Sequence, residues 1–304
     1  MTNKPLTVSI STRNRPDALV RCLRSLSLAA PLIDRAIVAD DASDPPVHAG
    51  TIADLAGVIG VPIDLMRLDD NSGASGARNL IAGRAHTPFL LNLDDDAFLV
   101  DGQAIASGLE VLERDAGVAA IAFAQADEHG RPRHASQQPG PSERPSYVPT
   151  FIGFGFLIRR EYLLAVGGFR ALFRMHGEER ELCLRWLERG WRVVYLPGAA
   201  VAHVADPSNR DPVGYIRHVI RNDCLNALFN EPALRALISI PVRLRNFRRM
   251  AAGIPGGDPQ GIRWILSELW SRWPEVRRSR RALRWRTFRE WKRLRSDPAP
   301  YPEP

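Results

Sequence analysis

The sequence is poor in cysteine and in long apolar runs. Its three cysteines, Cys22, Cys183 and Cys224, lie far apart in 304 residues and form no CxxC pair. This argues against a disulfide framework or a cysteine zinc site and favours a reducing compartment. No run approaches the roughly 20 apolar residues of a membrane-spanning helix, and residues 1–16 lack the apolar segment of a signal peptide. We therefore expect neither a membrane span nor export, and we expect a cytoplasmic location.

Charge is present but unevenly distributed. The composition, 45% apolar and 25% charged, is that of an ordinary globular protein. Residues 241–304 hold 16 Lys and Arg against 6 Asp and Glu, a balance of +10, and the whole chain carries +7, which leaves a slightly acidic body. Such a basic tail could meet either nucleic acid or the anionic cytoplasmic face of a membrane.

The first part of the chain alternates between two patterns. Four short apolar runs predict buried strands, at residues 6–11, 34–39, 62–68 and 88–93. Helical spacing of apolar residues follows Pro16 and recurs over residues 75–85. This β-α-β-α order predicts an α/β fold with a parallel sheet flanked by helices. Ligands of such sheets bind beyond the carboxyl ends of the strands.

The second part of the chain is less regular. Residues 125–149 are rich in Gly, Pro, Ser and Gln and predict a variable loop. Residues 150–159 and 192–196 predict strands, residues 178–189 predict a helix, and the pattern is helical from about residue 212.

Three adjacent carboxylates, Asp94, Asp95 and Asp96, follow the fourth predicted strand. They repel one another, so protonation or a cation must neutralise them. A hard divalent ion such as Mg²⁺ or Mn²⁺ prefers oxygen ligands of this kind, usually shared with substrate phosphates. The alternative is a solvated acidic turn or the start of a helix.

Two further polar clusters lie after predicted strands. Asp40 and Asp41 could accept hydrogen bonds from a nucleobase or a ribose, although Asp is also an ordinary turn residue. Small residues over 71–77 precede Arg78, which suits close approach to a nucleotide and a contact with phosphate. A glycine-rich helix start with a solvated Arg is the alternative.

Acidic residues also begin the helix predicted at residues 178–189. Glu181 and Arg185 are four residues apart and can form an ion pair. Glu178 or Glu179 could then act as a general base, or simply stabilise the helix dipole. His203 follows the last predicted strand, where an imidazole could complete a metal site or be an ordinary buried polar residue.

Together these segments resemble the family-2 glycosyltransferases. The resemblance covers residues 6 to 230 and is carried by these segments in order: VSISTRNRP, AIVADDAS, NSGASGARN, FLLNLDDDA, GGF, HGEERELCLR and His203. It implies a GT-A fold, with residues 1–230 as the catalytic domain and residues 231–304 as a basic helical C-terminal region. It also implies inverting transfer of a sugar from a nucleoside-diphosphate donor, UDP-linked donors being favoured, with Mn²⁺ or Mg²⁺ on the diphosphate.

By the same resemblance, Thr12, Arg13 and Asp41 would hold the nucleoside, with Asp40 beside them. Arg78 would lie near the nucleotide or the diphosphate.

The resemblance also assigns the acidic triplet. Asp96 looks like the direct metal ligand, with His203 completing the metal shell, while Asp94 and Asp95 would face the ribose and the donor sugar.

The catalytic base departs from the family pattern. Glu179 stands where the family usually has the Asp of a Glu-Asp pair, so Glu178 is kept as an alternative base. Ala42 replaces the Gly common in the family's DDGS segment, which affects only the geometry of that turn.

The acceptor is a hydroxyl group that the sequence marks only weakly. An apolar wall could come from residues 150–156 and Trp186, although core packing explains them equally well. Polar residues after His203 could also approach it, namely Tyr215, Arg217, Arg221 and Asn222. Residues 233–250 and 274–295 interleave Arg with apolar residues, as in helices on an anionic membrane, which would suit a lipid-linked acceptor and peripheral membrane binding. A solvated basic face is the alternative.

Three rival functions are weaker. A sugar-phosphate nucleotidyltransferase would show a glycine-rich phosphate loop near the start, and STRNRP has no glycine. A nucleic-acid-binding protein could use the basic tail, but the acidic body has no recognisable binding motif, so we expect no nucleic acid partner. A non-catalytic member of the family would not need the intact Asp triplet.

Overall fold

The computed structural model describes residues 4–204 and 211–302. Nine strands form one sheet, and their bounds are β1 (Leu6–Thr12), β2 (Ile33–Asp41), β3 (Ile63–Leu68), β4 (Phe89–Asp94), β5 (Ala97–Leu99), β6 (Val118–Ala126), β7 (Ser146–Val148), β8 (Gly155–Arg159) and β9 (Arg192–His203). The strand order is β3-β2-β1-β4-β8-β6-β9-β5, and β7 pairs with β9.

The helices cover the sheet and continue after it. Their bounds are α1 (Pro16–Ser25), α2 (Ala49–Ile59), α3 (Gly73–Arg84), α4 (Gln103–Arg114), α5 (Arg160–Ala165), α6 (Glu178–Glu188), α7 (Pro212–Asn230), α8 (Ala233–Ala251), α9 (Gly261–Ser271), α10 (Trp273–Ser279) and α11 (Trp285–Ser296). Local sequence explains several ends. Pro16 opens α1 because its missing N–H is not needed in the first turn, and Gly60 ends α2 in the left-handed conformation.

The four strands predicted in the first part of the chain are confirmed, and they are parallel. β1 pairs with β2 and with β4, and β2 pairs with β3, all in parallel register. The remaining strands make the sheet mixed, since β8 is antiparallel to β4 and to β6. The predicted α/β architecture is therefore confirmed, with a helical region after it.

The second part of the chain differs from the prediction in three places. The strand predicted over 150–159 begins only at Gly155, and the variable loop of 125–149 contains the end of β6 and the short strand β7. β9 does not stop at residue 196. Its pairing with β6 shifts register between Val118 and Ala120 and again between Phe123 and Ala124. At the second shift, residues 197–199 of β9 have no partner in the register and form a bulge. The strand then continues to His203.

The C-terminal helices share an apolar core with the body of the protein. Leu184 and Leu187 of α6 pack against Leu283, Phe288 and Trp291, which lie on and just before α11. The division proposed at residues 230/231 falls in the short connection between α7 and α8. Among the helices of residues 4–204 and 211–302, none is both long and apolar enough to span a bilayer.

The three cysteines are buried with free thiols, as expected for a chain without a disulfide framework. Burial raises the pKa of Cys183 and of Cys224 to about 12 each, so both stay protonated.

Candidate active site

Polar side chains from separate strands meet at the carboxyl edge of the parallel sheet. In the register of β1, Thr12 lies opposite Asp40 of β2, and Ser11 lies opposite Asp94 of β4. Arg13 follows Thr12 and is exposed at this edge. The sheet therefore brings together residues that are up to 83 positions apart in the chain, which confirms the predicted convergence at one edge.

Asp94, Asp96 and His203 form one cluster. One ligand atom from each lies within 4.8 Å of the others, and no other such group occurs in the part of the chain that the structure describes. His203 reaches this place because the bulged end of β9 pairs with β5, which sets His203 opposite Ala97. Its Nε2 lies 3.3 Å from Oδ1 of Asp96, and Phe154 stacks on its ring with centroids 5.2 Å apart.

The other member of the triplet, Asp95, is not part of this cluster and has partners of its own. Its carboxylate accepts hydrogen bonds from Oγ1 of Thr12 at 2.8 Å and from Nη1 of Arg15 at 3.1 Å. Arg15 also donates to Oδ2 of Asp96 at 2.9 Å. Arg15 was not among the residues predicted for the site. The one indication in the sequence is that STRNRP has a second Arg next to the predicted acidic edge of the sheet.

The electrostatics of Asp95 and Asp96 differ because their partners differ. Burial raises the pKa of Asp95 to about 6, against the attraction of Arg15 and the hydrogen bond from Thr12. Burial acts the same way on Asp96, but the hydrogen bond and charge of His203, together with Arg15, outweigh it and lower the pKa of Asp96. Asp96 therefore stays charged to lower pH than Asp95.

Asp40 and Asp41 hold loops at this edge. Asp40 accepts from the N–H groups of Ser43 and Val47 and from Arg67. Asp41 accepts from the N–H groups of residues 72 and 73 at the start of α3, and from the hydroxyl of residue 72. Both carboxylates are buried, so in this structure they hold the loops at this edge of the sheet. Their contact with a nucleoside stays a prediction.

Ala42 adopts the conformation that the family's glycine would favour. Its φ is +61°, in the left-handed region that costs an L-residue about 1–2 kcal/mol. The turn is therefore kept despite the substitution.

Arg78 is buried between Asp94 of the acidic cluster and Glu178 at the start of α6. It is 4% exposed, and its Nη2 donates to Oδ1 of Asp94 and to the carbonyl oxygen of Gly153, each at 2.9 Å. Its Nη1 lies 3.3 Å from Oε1 of Glu178. The predicted contact with a nucleotide or diphosphate stays a prediction, because the contacts seen here are with the protein.

The two candidate bases have different environments. Glu178 is 3% exposed; burial and the charge of Glu179 raise its pKa to about 8, against the attraction of Arg78. Glu178 therefore holds a proton near neutral pH. Glu179 is half-buried, and its Oε1 lies so close to Gly153 that a Cβ built there would be 2.5 Å from it. Gly153 is a second residue of the site that sequence analysis did not single out.

The loop before these glutamates is fixed by α7. Nδ2 of Asn222 donates to the carbonyl oxygens of Phe173, Met175 and His176, at 2.8–3.0 Å. Arg180 also pairs with Asp223 of α7. These contacts set where α6 begins and hence where Glu178 and Glu179 lie.

The suggested acceptor residues are mostly structural. Asn222 and Arg221 are 1% and 3% exposed, and Arg217 pairs with Asp258. Of the four polar residues proposed after His203, Tyr215 is exposed at 43%. The aromatic wall is also core, since Phe151, Phe154, Phe156 and Trp186 are at most 2% exposed. Core packing and these pairings explain the buried side chains among them, and a contact with the acceptor stays a prediction.

The profile of Glycosyl transferase family 2 matches residues 7–175, more than half of the chain. The chain belongs to this family, which confirms the resemblance and disfavours a nucleotidyltransferase.

Two curated relatives come from Mycobacterium tuberculosis. The chain is 29% identical over 215 residues to a pre-mycofactocin glycosyltransferase, covering 66% of this chain and 43% of that protein. It is 39% identical over 77 residues to an N-acetylglucosaminyl-diphospho-decaprenol L-rhamnosyltransferase, covering 25% of this chain and 24% of that protein. The chain thus spans less than half the length of these relatives.

Solved structures share the fold at low identity. Mannosyltransferase PcManGT from Pyrobaculum calidifontis, in complex with GDP-Man and Mn²⁺, has a TM-score of 0.57 at 15% identity, covering 96% of this chain and 86% of its own. S. aureus TarS 1-349 in complex with UDP-GlcNAc has a TM-score of 0.56 at 16% identity, covering 73% and 66%. These likenesses confirm the GT-A fold.

Replacing Glu178 by Gln should change how stability depends on pH. A carboxyl whose folded pKa is raised from 4.5 to about 8 contributes stability below pH 4.5, and this contribution is lost as pH rises toward 8. Gln mimics the protonated acid at every pH. We expect the free energy of unfolding of the wild type to fall relative to Glu178→Gln between pH 5 and pH 9, measured by urea denaturation at each pH. A difference that is constant with pH would contradict the buried, protonated Glu178.

Proposed function

We propose that this protein transfers a sugar from a nucleoside-diphosphate sugar to a hydroxyl group, with inversion at the anomeric carbon. The observation that carries the proposal is the series of contacts from the Asp94, Asp96 and His203 cluster through Arg78 and Gly153 to Glu179. Inversion needs the leaving group and the base on opposite faces of the sugar, and we assign these two roles to the two ends of this series.

For the donor, we propose that Thr12, Arg13, Asp40 and Asp41 line the nucleoside end of the rim, with Asp94 and Asp95 on the ribose and sugar side. Support comes from the fold shared with structures described as complexes with UDP, UDP-GlcNAc and GDP-Man. A UDP-linked sugar is the first donor to test.

For the metal, we propose a divalent cation held by Asp94, Asp96 and His203. Two carboxylates and an imidazole within 4.8 Å of one another fit Mn²⁺ well, whereas Mg²⁺ prefers oxygen ligands. The cation would neutralise charge that develops on the departing diphosphate.

The rest of the chemistry belongs to the protein. The acceptor hydroxyl gives its proton to Glu179 while its oxygen bonds to the anomeric carbon and the bond from that carbon to the diphosphate breaks. Glu178 serves this step as a neutral neighbour. If Glu178 were charged, it would repel the negative charge that develops on the acceptor oxygen as that oxygen loses its proton. Arg78 orients Asp94 and the carbonyl oxygen of Gly153, and so fixes the sugar side relative to the base.

Asp96→Ala and Glu179→Gln should both abolish measurable transfer, for different reasons. Loss of general base catalysis costs about 10²–10⁴-fold in turnover. Asp96→Ala removes a cation ligand, so metal-dependent donor binding should also weaken by roughly tenfold or more. Turnover and the Mn²⁺-dependent thermal shift with a panel of nucleoside-diphosphate sugars would measure both effects. A Glu179→Gln protein with full turnover would refute the base.

Gly153→Ala should impair turnover without unfolding the protein. The new Cβ would displace the end of the Glu179 side chain, 2.5 Å away, and a shift of about 1 Å at a reacting group can cost 10²-fold in rate. A flexible carboxylate can move, so we expect the free energy of unfolding to change by less than about 1 kcal/mol.

Gly57→Ala is the matched control for this experiment, because a Cβ at Gly57, on α2, meets nothing within 4 Å. Equal turnover of the Gly153→Ala and Gly57→Ala variants would show that Glu179 does not act from the observed position.

We further propose that the acceptor is lipid-linked and that the C-terminal region binds an anionic membrane surface peripherally. One face of α8 exposes Leu234, Leu237, Ile238 and Val242, each at 53–71%. Their spacing places them on a single stripe of the helix. An unpartnered apolar stripe of this kind is typical of an interaction surface.

Basic and aromatic groups next to this stripe favour an anionic bilayer as its partner. Arg235 of α8 lines a groove of about 560 Å³ together with Trp285, Phe288, Arg289 and Lys292 of α11. Trp and long basic side chains suit the headgroup region, where the stems stay in apolar surroundings and the charges meet phosphates. Without such a partner, four large aliphatic side chains would remain in water.

The double substitution Leu237→Ser and Ile238→Ser should weaken binding to anionic vesicles. Each buried aliphatic side chain contributes about 1.5–3 kcal/mol, so we expect about a tenfold loss or more. Flotation with phosphatidylglycerol and phosphatidylcholine vesicles would measure it, with Val58→Ser, which removes a residue 79% exposed on α2, as the control. Equal flotation of the double variant and the wild type would contradict the membrane proposal.

A further inference from the structure

Gln125 lies behind the histidine of the candidate metal cluster. It is on β6, opposite Val201 in the pairing with β9. Its side-chain amide nitrogen lies 2.8 Å from Nδ1 of His203. The other ring nitrogen, Nε2, points the opposite way and lies 3.3 Å from Oδ1 of Asp96. One side of the imidazole therefore faces Gln125 and the other faces the carboxylates.

Gln125 is itself held firmly. Its backbone N–H donates to Oε1 of Gln138 at 2.8 Å, and Nε2 of Gln138 donates to its carbonyl oxygen at 2.9 Å. Nε2 of Gln138 also reaches the carbonyl oxygen of Arg133 at 3.0 Å. With Phe154 stacked on the imidazole, the plane of the ring is defined, and the backbone from which the Gln125 side chain extends is held in place.

A histidine binds a cation through an unprotonated nitrogen, so the proton must lie on its other nitrogen and needs an acceptor there. If Nε2 of His203 faces the cation, Nδ1 carries the proton. The amide of Gln125 can supply the acceptor by a half-turn that puts its oxygen where its nitrogen now lies, since the two ends are nearly the same size.

We propose that Gln125 is a positioning residue that holds the proton of His203 on Nδ1 and thereby directs Nε2 to the divalent cation. This inference rests on the metal site in the proposed function. It assigns a role in metal binding to a residue at the end of β6, outside the segments that carry the family resemblance.

The test is the Mn²⁺ affinity of the full-length protein without donor, measured by electron paramagnetic resonance of free Mn²⁺. Gln125→Leu removes the acceptor and should weaken Mn²⁺ binding about 10- to 100-fold. Gln125→Glu keeps an acceptor for the Nδ1 proton and should bind Mn²⁺ at least as tightly as the wild type. Gln137→Leu, at an exposed site in the same loop, is the control and should leave the affinity unchanged.

The outcomes separate this inference from the proposal beneath it. His203→Ala should weaken Mn²⁺ binding; if it does but Gln125→Leu does not, the role of Gln125 is refuted and the metal site stands. Equal weakening by Gln125→Leu and Gln125→Glu would also refute it, because a merely structural defect is not rescued by a hydrogen-bond acceptor. Unchanged Mn²⁺ affinity in His203→Ala would refute the metal site itself.

Discussion

The structure depends on how one edge of a sheet tolerates concentrated negative charge. The triplet Asp94, Asp95 and Asp96 and the pair Glu178 and Glu179 lie around two guanidinium groups, of Arg15 and Arg78, and the imidazole of His203. Two like charges about 4 Å apart repel by about 4 kcal/mol at an effective dielectric constant near 20. Four of these five carboxyls are therefore paired with a basic side chain or protonated. Asp94 pairs with Arg78, Asp95 with Arg15, Asp96 with Arg15 and His203, and Glu178 keeps its proton. A divalent cation and a phosphate-bearing donor are chemically suited to such an edge.

Arg78 links the two halves of this arrangement. On one side it meets Asp94 at the end of β4, and on the other it meets Glu178 at the start of α6. A single buried side chain therefore connects the acidic cluster to the residue next to the proposed base. α7 supports the same geometry from behind, because Asn222 ties the loop that leads into α6.

Much of this was readable in the sequence. The parallel strands followed from short apolar runs, and the polar edge followed from the acidic residues placed after them. Arg15 was missed because an Arg next to a Pro looks like a solvated turn residue until its partners are known. Gly153 and Gln125 were missed because nothing in their neighbours marks them. The sequence left the acceptor residues open, because polar residues on a helix can face either solvent or a buried carbonyl, as Asn222 does.

The sequence alone determined the fold class, the family and the set of acidic residues, because apolar periodicity and residue order are properties of short segments. The tertiary structure decided how those residues are used. The bulge at Pro197 and Gly198 carries β9 on to His203, burial distinguishes Glu178 from Glu179, and strand pairing brings Gln125 to the imidazole. Such choices depend on desolvation and on contacts between distant parts of the chain, which no local pattern records.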